Sequence, residues 1–263
     1  MFKRAKDKEL IPRIVIGGGA DDKVPALVTE FSIRQRTWDK EVVIIHTHDL
    51  ERPMFEVHRN PTQFSLVRWW IPELCGYQGK AIYLDSDMVI LDNIAKLYNI
   101  PTIDFQAHPN ESRAVLRTPD PSVMLIDCGH EFTQNWNAWD IRDKVDSGEM
   151  RYHEMWGSTN FMPLEGLGEL PEEWNHRDHY EEGVTKNLHY TMLKTQPWRV
   201  TQVHPLEKIW VDELVAACKA GAVKPSDLVA SPFYVNIREC LARCQPAYLE
   251  EISEEITNAG CRI

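Results

Sequence analysis

Gly79-Lys80-Ala81-Ile82-Tyr83-Leu84-Asp85-Ser86-Asp87-Met88-Val89-Ile90-Leu91-Asp92-Asn93-Ile94 is the stretch on which both fold and chemistry turn. Ala81 to Leu84 is a short apolar run of strand type, and it delivers Asp85 and Asp87 to its C-terminal end. In extended chain, residues i and i+2 face the same side with α-carbons about 6.6–6.8 Å apart. Both carboxylates can therefore turn toward one divalent cation. Open α/β sheets bind ligands outside the carboxyl ends of their strands, where this pair falls. Asp also favours turns, so taken alone the pair reads as well as an acidic strand-to-turn junction.

Working outward, the elements alternate. Arg13 to Ile16 reads as a strand ending in Gly17-Gly18-Gly19, followed by a helix over Val24 to Arg36. Glu41 to His46 contains Val42-Val43-Ile44-Ile45 and reads as a buried strand. A helix over Phe64 to Leu74 leads into the strand Lys80 to Leu84, with further strands expected at Thr102 to Ala107 and Ser122 to Asp127. Strands separated by helices indicate βαβ units and an α/β fold, with a mostly parallel sheet flanked by helices. Beyond them the pattern gives a helix at Trp139 to Val145, a Gly-rich loop at Glu165 to Gly168 and a short strand at Asn187 to Thr191. Two amphipathic helices follow, at Leu206 to Ala220 (ending on Gly221) and Pro246 to Asn258. The expected division is an α/β core domain at 1–200 and a helical C-terminal extension at 201–263 packed on it.

Composition narrows the class. The chain has 263 residues, 43% hydrophobic and 26% charged, the balance of a folded globular domain. The net charge of −11 argues against nucleic acid as a partner, since duplex binding needs a cationic footprint. The basic opening segment, with Lys3, Arg4, Lys6, Lys8 and Arg13 against Asp7 and Glu9, offers at most a peripheral contact with anionic lipid. The longest apolar run, Leu214 to Cys218, falls far short of the roughly 20 residues that span a bilayer. No export signal opens the chain, so a cytoplasmic location with reduced cysteines is expected. Cys240 and Cys244 stand one helical turn apart but lack the second pair of a zinc site. Nine tryptophans offer flat faces for stacking on a ligand, though most are expected in the core.

Four pieces in order carry a family likeness. Phe64-Ser-Leu-Val-Arg-Trp-Trp-Ile-Pro-Glu-Leu74, Gly79-Lys80 and Tyr83-Leu84-Asp85-Ser86-Asp87 together resemble the signature of GT-A glycosyltransferases, most closely family eight. Ser122-Val-Met-Leu-Ile-Asp-Cys128 is similar to that family's second sheet segment. Leu188-His-Tyr-Thr-Met-Leu-Lys-Thr-Gln-Pro-Trp198 resembles its closing motif. Ile14 to Gly17, with Asp21-Asp22, Val28 and Ser32-Ile33, resembles its nucleotide-binding strand and helix.

The resemblance implies a retaining hexosyltransferase that takes a nucleotide-sugar, with UDP the expected nucleotide, and a saccharide or other hydroxyl acceptor. It implies Mn²⁺ or Mg²⁺ held by Asp85, Asp87 and His189; imidazole beside carboxylates suits Mn²⁺. Donor binding falls to Gly17, Asp21, Asp22, Arg68, Ser86, Lys194 and Gln196. A planar, permanently charged guanidinium such as Arg68 pairs well with phosphate. His46 and His48 lie outside the matched motifs and read as structural.

This chain departs from the family at several points. Asp120-Pro121-Ser122 stands where Asn-Ala/Ser-Gly is usual, Met192 replaces a glycine, and Gln196 precedes Pro197 where a lysine is usual. Lys194 is the nearest substitute for that lysine. The family's Asp-Gln pair beside the reacting sugar carbon has no clear counterpart, and Glu154 in His153-Glu154-Met155-Trp156 is the nearest acidic candidate for a catalytic role. These gaps make a nucleotide-sugar-binding module without transfer activity the alternative. A nucleotidyltransferase would need a basic phosphate loop, and Gly17-Gly-Gly-Ala-Asp-Asp22 is acidic.

Overall fold

Alternation along the central strands divides the interior into two cores, one on each face of a sheet. Val15, Ala81, Tyr83, Met124 and Ile126 point to one face, while Ile14, Ile16, Ile82, Leu84, Val123 and Leu125 point to the other. A computed structural model gives this fold and describes residues 11–37, 41–50, 63–102, 113–151, 154–157, 166–200 and 202–258. The elements begin with β1 (Arg13–Gly17), α1 (Lys23–Arg36), β2 (Val43–His46), α2 (Val67–Leu74), β3 (Lys80–Asp85), β4 (Met88–Ile90) and α3 (Ile94–Tyr98). Next come β5 (Val115–Arg117), β6 (Val123–Asp127), α4 (Glu131–Gln134), α5 (Ala138–Ser147), α6 (Glu154–Gly157), β7 (Leu167–Glu169), β8 (His176–Arg177) and β9 (Asn187–His189). Four helices close the chain: α7 (Glu207–Lys219), α8 (Pro225–Ala230), α9 (Tyr234–Cys244) and α10 (Pro246–Asn258).

The main sheet has the order β2-β1-β3-β6-β5-β7, and β4-β9-β8 form a second, smaller sheet. β1 runs parallel to β2 and β3, β6 is antiparallel to β3 and β5, and β7 is parallel to β5. The sheet is thus mixed and mostly parallel, with helices on both faces. α2 and α5 cover one face, through Val67, Ile71, Ile141 and Val145. On the other face lie Ala26 and Ile33 of α1, β4 and α3.

The C-terminal helices do not stand apart. Trp210, Leu214, Ile237, Leu241, Tyr248 and Ile252 bury a common core with Val24, Val28 and Phe31 of α1 and with Val89 and Leu188. α7 stops where the sequence indicates, with Gly221 at φ +73, a left-handed conformation that suits glycine. Among the described residues no helix is long and apolar enough to cross a membrane.

Several expectations are revised. Glu41 to His46 is not an interior strand: β2 is an edge, and Val43 is 41% exposed. The loop expected at Glu165 to Gly168 contains part of β7, which pairs Leu116 with Gly168. A β-carbon on Gly168 would overlap the Leu116 side chain, so glycine there is a packing requirement rather than a loop signal. β4, α8 and α9 were not foreseen. The strand expected at Thr102 to Ala107 lies, beyond Thr102, outside the described residues, as do the basic residues before Ile11, Cys261 and the side chain of Trp156, whereas Arg13 sits in β1 and donates to Cys75 O and Gln78 O. Trp69, Trp70, Trp136, Trp174, Trp198 and Trp210 are buried, as expected of core residues. The five described cysteines are free thiols.

His46, read as structural, closes β2 and ties it to α1, its Nε2 lying 2.6 Å from Glu30 Oε2. That contact, ahead of Arg34, lowers the Glu30 carboxyl from its ordinary 4.5 to about 2. A carboxyl depressed on folding contributes fully above its unfolded pKa, and the contribution is lost as pH falls through the folded value. The pair is only half-buried and screened by water, so the contribution is smaller than the shift alone implies, and it is lost as pH falls from 4.5 toward about 2. Glu30→Gln should therefore be less stable than the wild type at pH 6, with the gap closing toward pH 2.5 in urea denaturation. A gap unchanged with pH would refute the linkage.

Candidate metal and nucleotide site

The chain changes sheets between the two aspartates. Asp85 is the last residue of β3 in the large sheet, and Asp87 immediately precedes β4 in the small one. Their carboxylates thus converge at the junction of two sheets rather than along one extended strand. The turn between them is pinned: Ser86 N–H donates to Gly17 O at 2.8 Å, and the Thr29 hydroxyl lies 2.8 Å from Ser86 O and 2.7 Å from Met88 O. On the other side, β9 pairs antiparallel with β4 and sets His189 opposite Met88.

Asp85, Asp87 and His189 each offer a ligand atom, and these atoms all lie within 4.8 Å of one another. His189 Nε2 is 3.0 Å from Asp87 Oδ1, yet that oxygen is buried without an aligned hydrogen bond. Two carboxylates and an imidazole gathered in this way fit a divalent cation, and the under-satisfied Asp87 oxygen is what a cation would complete. Burial pushes the Asp85 carboxyl up, with Arg68 pulling it down and Asp87 adding to the rise. Burial alone would lower His189, but Asp87, Asp85 and Asp120 outweigh it and hold the ring above the usual imidazole value. Both directions are those of a site that needs more positive charge.

Arg68 is neither a surface arginine nor open to solvent. It is 4% exposed, donates to Asp85 Oδ1 at 2.7 Å and lies over the Tyr83 ring, 4.3 Å from its centroid. The Tyr83 hydroxyl donates to the same oxygen at 2.6 Å. Gly17 faces Asp85 across β1 and β3, and a β-carbon there would overlap the Tyr83 hydroxyl. Gly17→Ala should therefore displace Tyr83 from Asp85, costing about 1–3 kcal/mol of stability. An unchanged denaturation midpoint would show that the site tolerates the extra methyl.

Of the other expected residues, Gln196 contacts this centre directly, and Glu154, Lys194 and Asp21 make no contact with it. Asp22 caps the turn after β1, accepting from Gly19 N–H at 3.2 Å and from Arg199 at 2.8 Å. Burial raises its pKa against the pull of Arg199. Asp21 beside it is exposed. Ser86 is buried against Gly18, whose N–H donates to Thr47 at 2.8 Å. Gln196 is buried, and its amide donates to Asp87 Oδ2 at 2.9 Å and to Tyr190 O at 2.6 Å, so it steadies the second aspartate directly. Lys194 stands exposed on the turn before it. Glu154 opens α6 and accepts from the Arg151 guanidinium at 2.9 and 2.8 Å and from its N–H at 2.7 Å.

Asn175, Asp120, Ser122 and Tyr83 were not assigned by sequence. Asn175 Oδ1 lies 2.9 Å from His189 Nδ1. Asp120, which the sequence shows only as a departure from a family pattern, accepts from Asn175 and from Ser122 N–H. Hydrogen bonds from Ser122 outweigh burial and keep its carboxyl low. A lone Asn after Trp174 carries no periodic or spacing signal, so nothing in the sequence singled it out.

Solved glycosyltransferases are similar to this chain in structure. The glycosyltransferase GlyE of Streptococcus pneumoniae superposes with a TM-score of 0.54 at 16% identity, covering 78% of this chain and 61% of that one. A galactosyltransferase, LgtC, crystallised with donor and acceptor sugar analogues, gives 0.54 at 12%, covering 80% of this chain and 100% of that one. The chain has the GT-A fold. The bifunctional glycosyltransferase WbbM agrees, with a TM-score of 0.51 at 10% identity, covering 90% of this chain and 53% of that one. In sequence, the protein CDI of Arabidopsis thaliana is 25% identical over 159 residues, which cover 52% of this chain and 58% of that protein. The chain thus spans less than two thirds of CDI and of GlyE. No family model matches.

Proposed function

We infer that this chain is a metal-dependent glycosyltransferase that moves a hexose from a nucleotide diphosphate, UDP, to a hydroxyl acceptor. The observation that carries this reading is the convergence of Asp85, Asp87 and His189 at the carboxyl end of β3 in a GT-A fold. A bound Mn²⁺ or Mg²⁺ would supply Lewis-acid stabilisation to the leaving diphosphate. Asp85, Asp87 and His189 would hold it, with Gln196 steadying Asp87 and Tyr83 steadying Asp85.

The remaining roles belong to the chain's own groups. Gly17 and Ser86 shape the strand-end turn against which the nucleotide would lie, and Asp21 or Asp22 would accept from a base N–H or a ribose hydroxyl. Arg68 offsets the charge of Asp85 and adds positive potential beside the phosphates, and Lys194, exposed on its turn, would add to it. Asp85 and Asp87 are committed to the cation, so front-face attack with retention of configuration fits this site better than a carboxylate pair flanking the sugar. Glu154 is the acidic candidate beside the sugar. Residues 1–200 make up the catalytic domain in this reading, and 201–263 its helical extension.

Sugar release from a panel of UDP-sugars with Mn²⁺, followed by mass spectrometry, tests the proposal. Metal-dependent release from at least one donor is expected. Tight UDP-sugar binding with no release from any donor, with or without acceptor saccharides, would make the chain a binding module instead.

A further inference from the structure

The imidazole of His189 has two nitrogens, and only one can serve a cation. We propose that Asn175 is a positioning residue that fixes His189 with its proton on Nδ1 and presents Nε2 to the metal, with Asp120 anchoring the amide. The inference rests on the metal site proposed above.

Asp120 fixes which way the Asn175 amide faces. A carboxylate accepts only, so whichever Asn175 atom faces it must be the NH₂ group. Asn175 Nδ2 lies 3.2 and 3.4 Å from the two Asp120 oxygens, 2.9 Å from Thr118 Oγ1 and 3.1 Å from Ser122 Oγ. This leaves Asn175 Oδ1, an acceptor, 2.9 Å from His189 Nδ1. The other neighbour of Nδ1 is Ser122 Oγ at 3.4 Å, whose own proton goes to Asp120. Both neighbours of Nδ1 therefore accept, and Nδ1 must carry the hydrogen. Nε2 then faces Asp87, 3.0 Å away.

Burial makes this arrangement consequential. Asn175 is 7% exposed, Ser122 4% and His189 5%, so water does not compete for these bonds. Topology sets the distance: β8 runs parallel to β9 and pairs Arg177 with His189, which brings Asn175 alongside the ring. A second group that holds the far nitrogen of a ligating imidazole sets its tautomer and raises its basicity, and losing it typically costs 10–100-fold in metal affinity. The departure at Asp120-Pro121-Ser122 thus acquires a role, since the carboxylate orients the amide that orients the imidazole.

Two readouts test this. In metal-free wild type, above the pH at which the His189 ring becomes neutral, ¹H–¹⁵N spectra of the ring nitrogens, assigned by difference with His189→Ala, should show a protonated, hydrogen-bonded Nδ1 and a bare Nε2. Asn175→Leu should lose that signal and bind Mn²⁺, measured with UDP present, about 10–100-fold more weakly. Mg²⁺ affinity should change little, so the Mn²⁺-to-Mg²⁺ ratio falls; a purely structural defect would lower both alike. Because Asn175→Leu can fail to fold, the exchange Asn175→Asp with Asp120→Asn provides a second arm. It keeps an acceptor toward Nδ1 and an amide beside it, and should retain both the signal and the ratio. An unprotonated Nδ1 in wild type, or an unchanged ratio in folded Asn175→Leu, overturns the inference. Wild type that binds no Mn²⁺ would instead remove the metal site, and the ring spectrum would still decide the part played by Asn175.

Discussion

Asp87→Asn should lose Mn²⁺-dependent UDP binding while the protein stays folded. One charged ligand contributes about 3 kcal/mol to such a site, so the Kd for UDP with Mn²⁺ should rise roughly a hundredfold or more. The fold should survive because Asn keeps an acceptor for the Gln196 amide, now 2.9 Å from Asp87 Oδ2. The substitution also relieves repulsion from Asp85, which contributes to the raised pKa of that residue. Calorimetric titration of UDP with Mn²⁺ and with chelator, together with thermal melting, separates the two effects. Wild-type affinity in Asp87→Asn would remove the aspartate from the site.

Arg68→Ala should be the most damaging single change to stability near the site. Arg68 and Asp85 form a pair whose side chains are 5% and 19% exposed. Removing one partner of a buried pair leaves the other charge uncompensated, at a cost of about 3–5 kcal/mol. The loss of stacking on Tyr83 adds to that, since its ring lies under the guanidinium. Adding Asp85→Asn to Arg68→Ala should recover part of the loss, because the orphaned charge goes with it. Strictly additive losses in urea denaturation would show that the two residues do not interact. In ligand binding, Arg68→Ala should weaken UDP-sugar more than uridine, which carries no diphosphate.

The sequence made the outline of the fold legible where an element was decided locally. Ala81 to Leu84 is apolar, bounded by Gly79 and by two aspartates, and it forms the central strand β3. The helices over Val24 to Arg36 and Pro246 to Asn258 announce themselves by their apolar faces. Elements set by remote partners were not legible. Val42 to Ile45 is apolar throughout, and such a run does not say whether a strand lies at the centre or the edge. β4 begins directly after Asp87, and the Ser86-Asp87 turn does not say in sequence that the chain crosses between sheets there. The site followed the same division. Asp85 and Asp87 stand out by their spacing, and His189 by its place in the closing motif. Asn175 reaches His189 through a strand pairing, and Tyr83 reaches Asp85 from within a strand that looks purely structural.

The most direct measurement is anomalous diffraction at the manganese edge from crystals grown with MnCl₂ and UDP. A peak among the Asp85 and Asp87 carboxylates and His189 Nε2, with the UDP diphosphate beside it, is the predicted result. Bound UDP with no peak there, or a manganese ion held elsewhere in the chain, would contradict the account.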